Sequence, residues 1–141
     1  MELIEAKNKE IEKKDLALFL EPKSLAVIGA SRTRGKAGRV IMENLLANHY
    51  RGYIFPVNPN SKKILGFRAY SSVKDIPYKV DLAALVIPAS STLNVVEECA
   101  EKGVKAVLII SGGFSELNEK GANLQGEILQ IAEKNDMRIV G

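Results

Sequence analysis

The sequence predicts an α/β fold, a doubly wound, mostly parallel sheet with helices on both faces. Two observations carry that expectation. Four apolar runs, "SLAVIGA" (24–30), "YIFPV" (53–57), "DLAALVI" (81–87) and "KAVLIIS" (105–111), lack polar alternation, as strands buried on both faces do. Helical apolar spacing fills the intervals between them, and such alternation closes through right-handed crossovers into a parallel sheet. The expected strand order is 3-2-1-4-5, and such sheets bind ligands beyond the carboxyl ends of their strands. At 141 residues the chain suits one domain.

Residues 1–14 form a charged lead. "DLALFLEP" reads as a short helix, with Asp15 as its N-cap and Pro22 beyond its end. Residues 1–21 are therefore set apart from a domain over 22–141. After the first strand, Ala37, Val40, Ile41 and Leu45 recur at helical spacing, and "NHYRG" closes that helix. The second strand gives way to the turn-rich "NPNSKK". A short strand near 66–70 and a helical turn at "SVKDIP" are expected next. Pro88 ends the third strong strand. Thr92, Val96, Cys99 and Ala100 mark a helix that stops at Gly103. "GGFSELNEKG" is a loop, Leu124, Ile128, Ile131 and Ala132 mark the last helix, and "RIVG" is a final strand. Gly126 falls inside that helix, where close helix–sheet packing is the expected reason for it.

Composition narrows the function. Hydrophobic residues make up 46% of the chain, enough for a core, and no window approaches the ~18 apolar residues of a membrane span. The N-terminus lacks a signal-peptide pattern, and a cytoplasmic location is the default. The single cysteine excludes an intrachain disulfide and a cysteine-built metal site. Residues 1–21 carry four lysines and six acidic residues, so the whole positive excess lies in the body. That excess is mild, and with eight Phe and Tyr and no Trp a nucleic-acid platform is not expected.

"GASRTRGKAG" (29–38) carries the chemistry. Gly29 lets the chain turn off the strand. Gly35 and Gly38 let backbone N–H groups approach an anion, Ser31 adds a hydroxyl, and the helix starting near Lys36 aims its amino end at that anion. The spacing departs from the dinucleotide fingerprint, and "FPVNPN" supplies no acidic ribose reader. Lysines 62 and 63 keep an NADP-dependent oxidoreductase open as an alternative. Lys23, Arg32, Arg34, Lys36 and Arg39 fall within seventeen residues. That much charge suits coenzyme A, which has a diphosphate and a separate 3′-phosphate.

"PKSLAVIGASRTRGKAGRVIMENLL", "GYIFPVNPN", "VDLAALVIPAS", "EECAEKGVKAVLIISGGFSE" and "RIVG" together resemble the CoA-binding domain of the ADP-forming acyl-CoA (acetyl-CoA) synthetases, relatives of the succinyl-CoA synthetase alpha subunit. The resemblance runs over residues 22–141 and implies a Rossmann-like domain. It implies that Ser31, Gly35, Lys36 and Gly38 lie under the CoA phosphates, to which the loop's own chemistry adds Gly29 and Arg32. Val57, Asn58 and Pro59 would flank the nucleotide, with Lys62 or Lys63 as a nearby cation. Ile87, Pro88 and Ala89 would pack on the pantetheine arm, and Ile110, Ser111 and Gly112 would lead toward the thiol. In that family an acid, CoA and ATP give acyl-CoA through an acyl phosphate and a phosphohistidine. The phosphohistidine and ATP-grasp domains are separate, in the same chain or a beta subunit. This stretch is therefore expected to be one module, with no catalytic or metal-binding residues of its own. A CoA-sensing domain of a protein acetyltransferase is the other family-based alternative. His49 falls at a helix end and Cys99 on an apolar helix face, so both read as structural.

Overall fold

The computed structural model describes residues 16–110 and 118–141. Residues 16–20 are helical (α1). The chain continues through β1 (Ser24–Ile28), α2 (Ala37–Ala47), β2 (Tyr53–Val57), β3 (Lys63–Ile64), β4 (Phe67–Arg68) and a 3₁₀ turn (Val73–Asp75). Then come β5 (Leu82–Leu85), α3 (Ala89–Lys102), β6 (Ala106–Ile109), α4 (Asn118–Lys134) and β7 (Arg138–Val140). The Asp15 cap and the 1–14 lead lie outside the described residues, as does most of the "GGFSELNEKG" loop.

The main sheet has order β2-β1-β5-β6-β7, and every pairing in it is parallel. All five residues of β1 are buried, which explains its unbroken apolar sequence. Alternate residues feed two cores. Ala26, Ile28, Ala83, Leu85 and Val107 face α3, α4 and the 3₁₀ turn, joined by Val96, Cys99 and Ile128. Leu25, Val27, Leu82 and Ala84 face the other way, onto Met42 of α2 and Leu18 and Phe19 of α1. The crossover faces change between β1 and β5, so the switch point lies where those two strands end.

The short strand expected near 66–70 does not join the sheet as a strand. Leu65 and Gly66 both have positive φ (50° and 85°), and they fold the segment back into a β3–β4 antiparallel hairpin. Tyr70 joins β2 in an isolated parallel bridge to Val57. Its N–H donates to the Pro56 carbonyl at 3.0 Å, and its carbonyl accepts from the Asn58 N–H at 2.9 Å. The missing N–H of Pro56 therefore faces this outer edge and costs the β1 ladder nothing.

Helix α3 buries Thr92, Val96 and Cys99, as their spacing predicts, and the Thr92 hydroxyl donates back to the Pro88 carbonyl (3.2 Å). One further expectation needs correcting. Gly126 is exposed, with nothing within 4 Å of where a Cβ would sit, so close packing is not its reason. Gly103 does end α3, at φ 91°.

Candidate functional site

The site begins with two glycines that let three backbones meet. At Gly29 the chain leaves β1 with φ 98°, and an added Cβ would lie 2.1 Å from the Val86 carbonyl oxygen. The turn thus lies directly on the chain leaving β5. At Gly38 an added Cβ would lie 1.9 Å from the Gly29 carbonyl oxygen. The first turn of α2 is therefore seated on the strand-to-helix turn itself, which only glycine permits.

Side chains then fix the loop between them. The Asn58 amide donates to the Ala30 carbonyl (2.9 Å), and its Oδ1 accepts from the Asn60 N–H (2.8 Å). This ties the tail of β2 to the tail of β1. Ser31 Oγ accepts from the Thr33 N–H at 3.0 Å and keeps its own hydroxyl proton for another acceptor. Arg39 donates one N–H to the Arg32 carbonyl at 2.9 Å and pairs with Glu43 at 2.6 Å. Counted in the sequence among the anion-binding cations, Arg39 is instead neutralised and holds the loop to α2.

The amino end of α2 is electrostatically open. Lys36 occupies its N-cap with no side-chain cap bond, and the first turn holds no acidic residue. The partial positive charge there is uncompensated by the helix itself. It borders a crevice of about 550 Å³ at the carboxyl end of the sheet.

Eight of the sequence-predicted residues line this crevice: Gly29, Ser31, Lys36, Gly38, Val57, Asn58, Pro59 and Ile87. The others fall elsewhere. Arg32 is exposed beside the crevice, and Lys62 is exposed on the hairpin with its carbonyl accepting from the Ala69 N–H. Gly35 has φ 86°, a left-handed conformation that the loop's turn requires, and no other protein atom lies within 4 Å of where a Cβ would sit. Pro88 and Ala89 form the N-cap and first residue of α3, with Ala89 buried. Ile110 lies past the end of β6, its N–H donating to the Leu85 carbonyl at 2.9 Å. Ser111 and Gly112 lie outside the described residues.

Sequence reasoning missed the far wall, which is Ser71 with Asn94, Val95 and Glu98 of α3. Asn94 and Glu98 stand four apart and so share a helix face. That polar spacing was readable, but α3 was located by its apolar positions alone. Glu98 puts one carboxylate on this wall, opposite the basic loop.

Neither of the two tempting residues lines the crevice. His49 follows the C-cap of α2 and is exposed, at the opposite end of that eleven-residue helix from the crevice. Cys99 is fully buried, and burial, helped by the Glu98 carboxylate, pushes its thiol up to about 12. Among the described residues no group of three or more His, Cys, Asp or Glu could hold a metal ion.

Comparison with known proteins converges on one family. Residues 23–141 match the family model described as a CoA binding domain. Over 127 residues the chain is 50% identical to an acetate–CoA ligase (ADP-forming) II of Archaeoglobus fulgidus, covering 90% of this chain and 19% of that one. It is 48% identical to the alpha subunit of an acetate–CoA ligase (ADP-forming) I of Pyrococcus furiosus, covering 89% of this chain and 28% of the relative. Among solved structures, a dinucleotide-forming acetyl-coenzyme A synthetase 1 from Ca. Korarchaeum cryptofilum superposes with a TM-score of 0.85 at 35% identity. That match covers 90% of this chain and 27% of the synthetase. The chain thus spans between about a fifth and somewhat over a quarter of these relatives.

Proposed function

The chain belongs to the CoA binding domain family, and from that membership we propose that its crevice binds coenzyme A, with residues 22–141 as the binding domain and 1–21 as a charged lead and short helix, whose Leu18 and Phe19 pack against it. The observation that carries this reading is one crevice lined by Ser31, Lys36 and the open amino end of α2 together with Asn58, Pro59 and Ile87. In it, Ser31 Oγ–H, Lys36 Nζ and the first-turn amides of α2 hold the diphosphate. Arg32 and Lys62, both exposed, are the mobile cations for the 3′-phosphate. Val57, Asn58 and Pro59 flank the nucleotide, and Ile87 gives the pantetheine arm an apolar wall. Pro88, Ala89 and Ile110 are assigned to the thiol side of the pantetheine arm; Ser111 and Gly112, outside the described residues, are assigned there by the family resemblance alone. Gly29, Gly35 and Gly38 shape the loop. Asn94 and Glu98 offer polar partners to neutral groups, such as an adenine amine or pantetheine amides, away from the phosphates.

The module serves an ADP-forming acyl-CoA synthetase. There it presents CoA to an acyl group delivered by further domains or a beta subunit with an ATP-grasp fold, in the cytoplasm. Relatives whose printed names make them acetate–CoA ligases support this. No described helix is long and apolar enough to cross a membrane. Calorimetric titration with CoA, dephospho-CoA and NADP tests the reading. Saturable CoA binding, weaker for dephospho-CoA and absent for NADP, is expected. NADP binding with CoA silent would overturn it in favour of an oxidoreductase domain.

A further inference from the structure

The opposite, amino end of the sheet carries a second cavity, of about 650 Å³, that the CoA reading leaves unused. Its floor is Phe55, which is buried and held by Tyr70 packed edge-on at 6.2 Å. Tyr53 stands two residues before Phe55 on β2 and so shares its face of the sheet. The Tyr53 ring lies within 11° of parallel to that of Phe55, at 6.4 Å between centroids. Tyr78 flanks Phe55 within 10° of parallel, at 5.7 Å. Three ring planes therefore run nearly parallel along one wall. Tyr53 is 74% exposed and Tyr78 61% exposed. Such large aromatic surface is costly to leave in water.

The rim fixes the sign of what would cover it. Lys23 and Lys79 both line the cavity against the single carboxylate of Asp81. That carboxylate already accepts the Lys23 backbone N–H at 2.9 Å. Ser24 Oγ donates to the Lys79 carbonyl (2.8 Å) and accepts from the Asp81 N–H (2.9 Å), which pins the second lysine's backbone to the rim. Two cations beside flat rings disfavour a cationic ligand and favour an anionic one.

We propose that this cavity binds a small planar aromatic anion, stacked on the Tyr53–Phe55–Tyr78 wall with its charge met by Lys23 and Lys79. The shared chemistry belongs both to aryl carboxylates and to purine nucleotides. The five residues of β1 separate the cavity from the CoA crevice, by roughly 16 Å at strand rise. The two sites are therefore occupied independently, and failure of one leaves the other standing.

The test is an amide chemical-shift titration of the isotope-labelled chain with 4-hydroxybenzoate and, separately, AMP. Saturable shifts at Lys23, Tyr53, Tyr78 and Lys79 by either probe support the site, and whichever binds tighter identifies the source of the anion. Neutral 4-hydroxybenzamide and non-aromatic cyclohexanecarboxylate should each bind at least about fivefold more weakly. Tyr78→Ala should weaken the better probe by a similar factor while leaving the amide spectrum of residues 29–38 unchanged. Lys79→Gln should also weaken it. Equal binding of the benzamide would overturn the charge argument, and equal binding of the cyclohexane acid would overturn the stacking argument. No shift at these residues with either probe at about 20 mM, well above a millimolar Kd of about −4 kcal/mol, would overturn the proposal.

Discussion

Replacing Gly38 with alanine places a methyl carbon 1.9 Å from the Gly29 carbonyl oxygen, 2.8 Å from its carbonyl carbon and 3.0 Å from Ala30 Cα. Ordinary contact begins near 3.4 Å, so the two backbones must part by more than an ångström. Neither has room to give. Gly29 donates to the Val57 carbonyl at 3.1 Å and rests against Val86, and Ala30 is held by Asn58. Overpacking of this kind costs about 3 kcal/mol, the upper part of its usual range. Alanine regains about 1 kcal/mol of helix propensity over glycine, leaving a net loss of ~2 kcal/mol. For a chain of this size that lowers Tm by roughly 6–8 °C. The matched control is Gly126→Ala, in α4 with nothing within 4 Å, which should raise Tm by about 3–4 °C on propensity alone. Thermal melts followed by circular dichroism read both, and CoA titration of Gly38→Ala should show at least about tenfold weaker binding, the loss of a charge-assisted contact or two. Wild-type stability and CoA affinity in Gly38→Ala would refute the claim that α2 is seated on the Gly29 turn.

Other consequences can be checked in the same assays. Lys36→Glu reverses the charge at the open end of α2 and should weaken CoA binding by about one to two orders of magnitude, with the melt unchanged; calorimetry decides. Arg39→Gln frees the Arg32 carbonyl and unpairs Glu43. It should weaken CoA several-fold while costing about 1 kcal/mol or less of stability, and Arg39→Lys should not restore the planar two-way bond. The Cys99 thiol, pushed from an ordinary 9.0 up to about 12 by burial and then by Glu98, keeps its proton in the folded chain between those pH values and releases it on unfolding. That part of the stability is present in full below pH 9 and is lost as pH rises from 9 toward 12. Wild type should therefore lose stability in denaturant melts more steeply than Cys99→Ala above pH 9. A folded chain whose thiol reacts with a disulfide reagent at pH 8 as fast as the denatured chain would contradict the burial.

Strands of the central sheet were legible because burial on both faces leaves a chain no polar positions to confuse the reading. β2 matches residue for residue; β1 is read two residues too long and β5 three, and the reading of β6 overruns Ala106–Ile109 at both ends. The weak point was "ILGFRAY", where the left-handed pair Leu65–Gly66 makes a hairpin. A positive φ at a leucine has no signature in composition. Apolar spacing on α2 selected Val40, which is 42% exposed, while the fully buried Met42 was passed over. The loop half of the site could be read because glycine spacing encodes backbone proximity. The α3 wall could not, because Asn94 and Glu98 meet the crevice only through the 3-D position of a helix whose sequence spacing reports its opposite, apolar face. Arg39 was misassigned for a related reason: its partner Glu43 lies one helical turn on, and pairing cannot be told from availability by counting charge.

The most direct test of CoA binding at the carboxyl end of the sheet is an amide chemical-shift titration with CoA. Saturable shifts confined to Gly29–Gly38, Asn58, Ile87 and the Asn94–Glu98 wall are the predicted result. Shifts that avoid the Gly29–Gly38 loop, or none at saturating CoA in the folded chain, would contradict it.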